Sequence, residues 1–201
     1  MNYYISDLHI DHKNVLVFDG RPFTSIEENN AEIMRRWNDR VGADDTVYLL
    51  GDEHCGKADA VYEYMRKLNG HKVLIRGNHT LKQLPSKLKG LYDDIKDYKE
   101  IVDSGIRAIM CHYPIPFYKC SYSRDTVMLY GHLHNTAEQD FIEDFKEYVW
   151  AHDTRGRSKA LMQLYNVGCM MPWMNYTPKT LSEIISGYEK WQKDRSLVVS
   201  K

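Results

Sequence analysis

Five short apolar runs, each ending in a polar cluster, constrain the fold of this chain more than any other feature of its sequence. The polar clusters are Asp7-Leu8-His9, Gly51-Asp52, Gly77-Asn78-His79, His112 and Gly131-His132-Leu133-His134. Short apolar runs bounded by glycine and polar residues are typical of buried strands. Loops in a layered α/β protein converge at one end of such strands, so we expect the clusters to meet there.

The side chains in these clusters have a uniform donor chemistry. Seven of these side chains have oxygen or nitrogen donor atoms and none has sulfur: Asp7, His9, Asp52, Asn78, His112, His132 and His134. Hard to borderline divalent cations prefer such donors, and the set is large enough for two ions. Asp52 is the natural bridge between them, because a bridging carboxylate must be fully charged and offer two oxygens. Alternate residues of an extended segment point to the same side, roughly 6.5–7 Å apart along the chain, so two neighbouring ions can each take one of His132 and His134.

The order D-x-H, G-D, G-N-H, H and G-H-x-H resembles the calcineurin-like metallophosphoesterase superfamily. The resemblance runs from Asp7 to His134, and Asn166-Val167-Gly168 is similar to the family's final strand end. It implies a phosphoesterase that attacks a phosphomonoester or phosphodiester directly with a hydroxide bridging two divalent ions, for which Mn, Fe, Ni or Zn are suitable.

The same resemblance implies a role for each donor. Asp52 is expected to join Asp7, His9 and His134 on one ion. It is also expected to join Asn78, His112 and His132 on the other. His79, the histidine of the G-N-H motif, is expected to be the acid that protonates the leaving oxygen, and not a ligand.

The chain departs from common family patterns in two places. Many members continue G-N-H with Asp or Glu, whereas this chain has Thr80. The phosphoprotein phosphatase branch carries G-D-x-x-D-R-G, and here Cys55 and Gly56 replace the second Asp and the Arg. A phosphoprotein phosphatase is therefore the weaker alternative, and the partner of His79 stays open. Without that Arg, we expect diesters to be hydrolysed at least as well as monoesters.

A second alternative is a non-catalytic scaffold on the same fold. Scaffolds lose the acid histidine or metal ligands, and this chain keeps all of them. Taken singly, each donor has an ordinary structural explanation. Asp7 and Asp52 could shape turns, Asn78 could tolerate positive φ, and His112 could be a core histidine. The ensemble of five motifs favours the enzyme.

Several further residues are candidates for the site. His54 is close enough to Asp52 to line it, while His12, His71 and His152 are interpreted as solvated or structural. A nucleobase could stack on aromatic residues from two loops, although packing at the sheet edges is the preferred explanation for them: Tyr113, Phe117, Tyr118, Tyr122, Trp173 and Tyr176. The role of the basic loop Arg155–Arg157 is not predicted.

Periodicity and turn residues predict alternating strands and helices. The predicted helices are Ser25–Arg40 and Thr180–Lys193, each with a capping box, and Ala58–Leu68, Leu81–Leu88 and Phe141–Ala151. Ile10–Thr24 is predicted as a long loop, Ile95–Val102 and Ile106–Met110 as a hairpin, and Leu161–Val167 as the last strand. With the resemblance, this order implies an α/β class, as a four-layer α/β/β/α sandwich with two mixed sheets packed face to face.

Length and composition agree with one domain over residues 1–201, since the chain is 43% hydrophobic and 27% charged. A net charge of −1 provides no basic field to attract long nucleic acid. No apolar run approaches a membrane span, and the first strand leaves no room for a signal peptide. We therefore expect a cytoplasmic enzyme acting on a small phosphate ester or nucleotide. The oligomeric state is not predicted.

Overall fold

Eight strands form two four-stranded sheets in the computed structural model, which describes residues 1–81, 83–154 and 162–199. The first sheet has the order β1 (Asn2–Ile5), β2 (Thr46–Leu49), β3 (His71–Ile75) and β4 (Asp94–Lys96). The second has the order β5 (Tyr98–Asp103), β6 (Ile106–Cys111), β7 (Thr126–Tyr130) and β8 (Leu164–Asn166). With helices alongside both sheets, this confirms the predicted fold class.

The helices of the described residues are α1 (Val15–Phe18), α2 (Ile26–Arg40), α3 (Ala58–Met65), α4 (Ser86–Lys89), α5 (Ala137–Ala151) and α6 (Leu181–Val199). They include four of the five predicted helices, although α3 ends three residues earlier and α6 six residues later than predicted. The short α1 lies in the predicted long loop. The predicted helix Leu81–Leu88 is wrong, because Pro85 is extended and disfavours helix before it, so only α4 forms. Helix α5 begins earlier than predicted, where the Thr136 side chain accepts a hydrogen bond from the Glu138 N–H.

Strand pairing differs between the two sheets. In the first sheet the described pairs β1–β2, β2–β3 and β3–β4 are all parallel, and an isolated bridge from Tyr4 to Lys179 is antiparallel. In the second, the β5–β6 hairpin is antiparallel, while β6–β7 and β7–β8 are parallel. The second sheet alone therefore has the mixed ladder that the sequence predicts for both. The hairpin turns at Ser104 and Gly105, whose φ values of 52° and 85° suit a tight two-residue loop.

The segment predicted as one strand over Ile95–Val102 is divided between the sheets. Its first part is β4, parallel to β3, and its second part is β5, antiparallel to β6. The sheets are joined again beyond β1 and β8. There the Ser6 N–H donates to the Val167 carbonyl at 2.9 Å, and the Cys169 N–H donates to the Ser6 carbonyl at 2.9 Å. This second junction is where the polar clusters converge.

The core is divided by the alternation of side chains along the strands. In β6, Ala108 and Met110 are buried in the cluster that includes the first sheet, whereas Ile109 is buried on the opposite face, against which Phe145 of α5 packs. Each fully buried aliphatic side chain stabilises the fold by about 1.5–3 kcal/mol. The alternation places the second sheet between the first sheet and α5.

Each of the two predicted capping boxes forms one standard hydrogen bond and one altered hydrogen bond. At α2, the Ser25 hydroxyl accepts from the Glu28 N–H at 3.1 Å, but the Glu28 carboxylate accepts from the N–H of Thr24, at 2.7 Å. At α6, the Glu183 carboxylate accepts from the N–H and the hydroxyl of Thr180, at 2.9 and 2.8 Å. Both arrangements satisfy backbone donors at a helix start.

Candidate metal centre

The seven predicted donors lie together at the carboxyl ends of the strands. Five of the donors follow the end of a strand within three residues. They are Asp7 after β1, Asp52 after β2, Asn78 after β3, His112 after β6 and His132 after β7. The seven donors include two clusters, and within each cluster the ligand atoms lie within 4.8 Å of one another. Asp7, His9 and His134 form the first cluster, and Asp52, His112 and His132 form the second. Asn78 belongs with the second, because its Oδ1 lies 2.9 Å from His112 Nε2 and 2.9 Å from His132 Nδ1.

Most of these donors have an unusual backbone conformation. Positive φ values between 48° and 69° occur at Asp7, His9, Asp52, His132 and His134. Residues other than glycine rarely adopt this region, and each instance costs of order 1–3 kcal/mol. The conformation turns the chain sharply after each strand and directs the side chains into a common space.

Two glycines of the motifs are required for this close approach. A Cβ at Gly77 would lie 2.2 Å from Asp52 Oδ1, and a Cβ at Gly131 would lie 2.4 Å from Asp7 Oδ2. Any side chain at these positions would displace a carboxylate of the site. The G-N-H and G-H-x-H motifs therefore need glycine for space.

The first cluster is buried and is organised by hydrogen bonds to Asp7. Its carboxylate accepts from the Ser6 hydroxyl at 2.6 Å and from the His132 N–H at 3.1 and 3.2 Å. His134 Nε2 lies 3.7 Å from Asp7 Oδ1 and 3.2 Å from His9 Nε2. Burial raises the pKa of Asp7, so this carboxylate requires compensating positive charge to remain ionised.

Behind the first cluster lies a buried ion pair between Asp19 and Arg21 that the sequence did not identify. Asp19 Oδ1 lies 2.6 Å from His134 Nδ1, and Arg21 Nε donates to Asp19 Oδ2 at 2.9 Å. Arg21 also donates to the backbone carbonyls of Asp7 and Leu8 at 2.8 and 2.9 Å. The pair thus fixes both the ring of His134 and the strained backbone of the D-x-H motif.

The second cluster is held by the backbone that directly follows β2. His112 Nδ1 lies 2.7 Å from the Leu50 carbonyl, and His112 Nε2 lies 3.4 Å from Asp52 Oδ2. Asp52 also accepts from the His79 N–H at 2.9 Å, and its Oδ2 is 3.8 Å from His9 Nε2 of the first cluster. Asp52 is therefore the carboxylate that faces both clusters.

The electrostatics favour a neutral imidazole at His9 and His132. Burial, reinforced by His134, lowers the pKa of His9 to about 3, and burial also lowers the pKa of His132. Burial alone would also lower the pKa values of His112 and His134, but the neighbouring carboxylates Asp52 and Asp19 outweigh it and raise both. Burial alone would raise the pKa of Asp52, but hydrogen bonding and charge from His112 outweigh it and lower this pKa to about 2. Neutral imidazoles and ionised carboxylates are the protonation states that bind metal ions.

The hydrogen-bond pattern provides a test of whether cations fit. Carbonyl and carboxylate oxygens accept, so the protons of His112 and His134 lie on Nδ1, toward Leu50 and Asp19. In the neutral form that binds a metal ion, their Nε2 lone pairs face other acceptors, including Asn78 Oδ1 for His112 and Asp7 Oδ1 for His134. Converging lone pairs repel one another unless a cation lies between them. The residues present therefore fit one divalent ion at each cluster.

His79 lies at the solvent-exposed side of the clusters, with its ring 5.3 Å from that of His9. Within the described residues no carboxylate is hydrogen-bonded to this ring. His12, which the sequence interpretation treats as solvated or structural, is half-buried beside it. Its Nδ1 lies 3.4 Å from His9 Nδ1, and its ring is 6.2 Å from that of His79. The spacing D-x-H-x-x-H is the signal that could have identified it.

The residue that follows the G-N-H motif supports the turn instead of the His79 ring. The Thr80 hydroxyl accepts from the Gly77 N–H at 3.0 Å and donates to Glu53 Oε2 at 3.2 Å. Burial raises the pKa of Glu53 to about 7. His54 is buried beside Glu53, with Nε2 3.6 Å from Glu53 Oε1, and belongs to neither cluster.

Only one of the predicted aromatic candidates contacts the described donors. The Tyr113 ring packs against His112 and His132, with centroids 5.1 and 4.8 Å apart. Buried positions in the core are occupied by Tyr118, Trp173 and Tyr176. The Phe18 ring, not predicted, lies 5.4 Å from the His134 ring and 6.1 Å from the His9 ring. The basic loop Arg155–Arg157 lies outside the described residues.

Most of the chain is similar to known proteins. The family model for calcineurin-like phosphoesterases matches residues 3–168. An uncharacterised protein of Methanocaldococcus jannaschii is 27% identical over 198 residues, which cover 97% of this chain and 95% of that protein. The gene 66 protein of Mycobacterium phage L5 is 35% identical over 80 residues, which cover 38% of each chain.

A solved structure shares the fold. A protein of unknown function from Aquifex aeolicus superposes with a TM-score of 0.66 at 23% identity, covering 92% of this chain and 98% of that one. In the part of the chain that the structure describes, no helix has the length and apolar character needed to span a membrane.

Proposed function

The chain belongs to the calcineurin-like phosphoesterase family, and from this membership we propose that it is a phosphoric ester hydrolase that depends on two divalent metal ions. The proposal rests on the two clusters of oxygen and nitrogen donors. Asp52 belongs to the second cluster and also faces His9 of the first. Asp7, His9 and His134 would hold one ion, and Asn78, His112 and His132 the other. Mn, Fe, Ni and Zn all accept this ligand set.

The side chains of the site have different roles in ester hydrolysis. When bound, the two ions supply positive charge for the phosphate group and an activated water for attack on phosphorus. Asp52, ionised at neutral pH, would be the carboxylate shared by both ions. His79 is the proton donor for the leaving oxygen, because its exposed ring stands next to His9 at the open side of the clusters.

Diesters are the expected substrates because the described part of the site offers no cationic side chain for a second phosphate charge. Among the described residues, no arginine or lysine side chain is hydrogen-bonded to the side chain of a donor in either cluster. Arg21 is 4% exposed and is held behind the site by Asp19 and the backbone. This arrangement argues against a phosphoprotein phosphatase, for which a phosphate-binding Arg in place of Gly56 would be expected.

Metal analysis of Asp52→Ala tests the proposal. The wild-type protein should carry about two divalent ions per chain and hydrolyse bis-p-nitrophenyl phosphate, whereas Asp52→Ala should lose both ions and the activity. Asp97→Ala is the matched control, because Asp97 is an exposed carboxylate that pairs with Arg76 at the surface. Two ions retained in Asp52→Ala would contradict the assignment of Asp52 as the bridge. A fully metal-loaded wild type that hydrolyses no phosphate ester would contradict the function.

A further inference from the structure

Two exposed aromatic rings flank the candidate metal centre, one at each cluster. Phe18 and Tyr113 are 49% and 45% exposed, although both pack against histidines that are largely buried. The Tyr113 ring meets those of His112 and His132 at 75° and 70°, and the Phe18 ring meets that of His134 at 67°. Each ring therefore contacts the donors through an edge-on arrangement, which leaves part of its surface open to solvent.

Both rings are held in place by anchored neighbours in the chain. Phe18 ends α1 and directly precedes Asp19, which is fixed by Arg21 and by His134. Tyr113 directly follows His112, whose ring is bound to the Leu50 carbonyl. A rigid ring loses little conformational entropy when a ligand stacks on it, so these positions suit binding.

Their placement matches the shape of a phosphodiester. A phosphate group bound between the two clusters would carry two ester arms. Phe18 lies beside the His134 ring and Tyr113 beside the His112 and His132 rings, so each arm would have one aromatic ring on its side. An aromatic ring offers a planar, uncharged surface, which a nucleobase covers and a methyl group does not. Stacking of one base on one aromatic side chain contributes about 1–3 kcal/mol and depends little on the base.

We propose that Phe18 and Tyr113 form an aromatic clamp for the bases of a nucleotide phosphodiester. This inference rests on the proposed function and extends it from phosphate esters in general to base-bearing diesters.

Two substrates with the same charge and the same leaving group test the clamp. They are the p-nitrophenyl ester of thymidine 5′-monophosphate and methyl p-nitrophenyl phosphate. The wild-type protein should prefer the thymidine ester by about 10-fold or more in kcat/KM, and Phe18→Ala/Tyr113→Ala should reduce this preference to about 2-fold or less. The preference is a ratio of two substrates measured on the same variant, so a general change in activity or in bound metal cancels from it.

Two further variants separate stacking from general effects. Tyr113→Phe keeps a ring and should keep the preference. Phe117→Ala removes a 76% exposed ring that packs against Phe145, away from the clusters, and should behave like wild type. Calorimetric binding of adenosine 5′-monophosphate compared with methyl phosphate gives a readout independent of turnover. The double alanine variant should lose the tighter binding of the nucleotide.

The outcomes distinguish this inference from the function on which it rests. Equal hydrolysis of both esters by the wild type, or a preference unchanged in the double variant, would overturn the clamp and leave the phosphoesterase intact. Hydrolysis of neither ester by metal-loaded protein would overturn both.

Discussion

At the scale of single residues, the candidate site combines backbone strain with surroundings that fix it. Asp7 and His9 hold positive φ values, yet their neighbourhood leaves little freedom. Arg21 binds the carbonyl of Asp7, and the N–H groups of Asp7 and His9 donate to the Gly51 and Asp52 carbonyls at 3.1 and 2.9 Å. Strained residues persist where the surrounding structure determines them and are concentrated at functional sites. The strain here positions donors before any ion arrives.

His79→Asn should separate proton donation from metal binding. The backbone N–H of His79 would still donate to Asp52, so both ions should remain, while kcat should fall by about 10²–10⁴-fold through loss of the acid. The loss should be smaller for p-nitrophenyl esters than for alkyl esters, which need protonation of the leaving oxygen. His71→Asn, at an exposed histidine paired with Asp93, is the control. Equal losses with both classes of ester would show that His79 is not the acid.

Asp19→Asn should weaken one ion selectively. The substitution removes the carboxylate that binds His134 Nδ1 and leaves Arg21 without its charge partner. Loss of such a partner typically lowers metal affinity by about 10–100-fold, so one ion per chain should dissociate at a lower chelator concentration than the other. Chelator titration with metal analysis measures this, with Asp39→Asn at an exposed ion pair as the control. Simultaneous loss of both ions, or unchanged affinity, would contradict a positioning role.

At the scale of elements, the strand ends were predictable and the supporting residues were not. The apolar runs before Asp7, Asp52 and His132 are short, bounded by glycine or polar residues and typical of buried strands, so the sequence could predict that the side chains after them lie near one another. Asp19 and Glu53 contact residues distant in the chain, namely His134 and Thr80. The segment from Ile10 to Thr24 also has no periodicity that would place Asp19. The division of Ile95–Val102 between the two sheets could not be predicted either, because both halves have strand-forming sequences.

Helices α5 and α6 are joined to β8 by a second buried polar network, in which Lys146 is central. Lys146 donates to the Leu164 carbonyl at 3.1 Å, pairs with Glu143 at 3.2 Å and is hydrogen-bonded to the Tyr188 hydroxyl. Burial lowers the pKa of Lys146 to about 8. The network fixes α5 and α6 against the second sheet.

Lys146→Met should therefore destabilise the fold strongly. It leaves the Glu143 carboxylate buried without a cation, which typically costs about 3–5 kcal/mol of the free energy of unfolding. Lys146→Met/Glu143→Leu should recover much of the loss, because no buried charge remains. Urea unfolding followed by circular dichroism measures both, with exposed Lys190→Met as the control. A double variant less stable than Lys146→Met would contradict this explanation.

At the scale of the whole molecule, tyrosine hydroxyls connect the layers. Tyr4 of β1 donates to Asp103 of β5 at 2.6 Å and so joins the two sheets. Tyr130 of β7 donates to Gln139 of α5 at 2.9 Å, and Tyr188 of α6 donates to Glu143 of α5. Burial raises the pKa of all three phenols, and Asp103 and Glu143 raise those of Tyr4 and Tyr188 further.

The sign of these shifts predicts unfolding at alkaline pH. A phenol whose pKa is higher in the folded than in the unfolded chain contributes stability that is complete below pH 10, roughly the unfolded value, and is lost as pH rises above it. Each such tyrosine should lower the free energy of unfolding by about 1.4 kcal/mol per pH unit above that point. Tyrosinate absorbance at 295 nm should rise in two stages, the second together with loss of the circular dichroism signal. Tyr4→Phe removes one of these groups, so its stability should fall less steeply with pH than that of the wild type, and an identical slope would contradict the assignment.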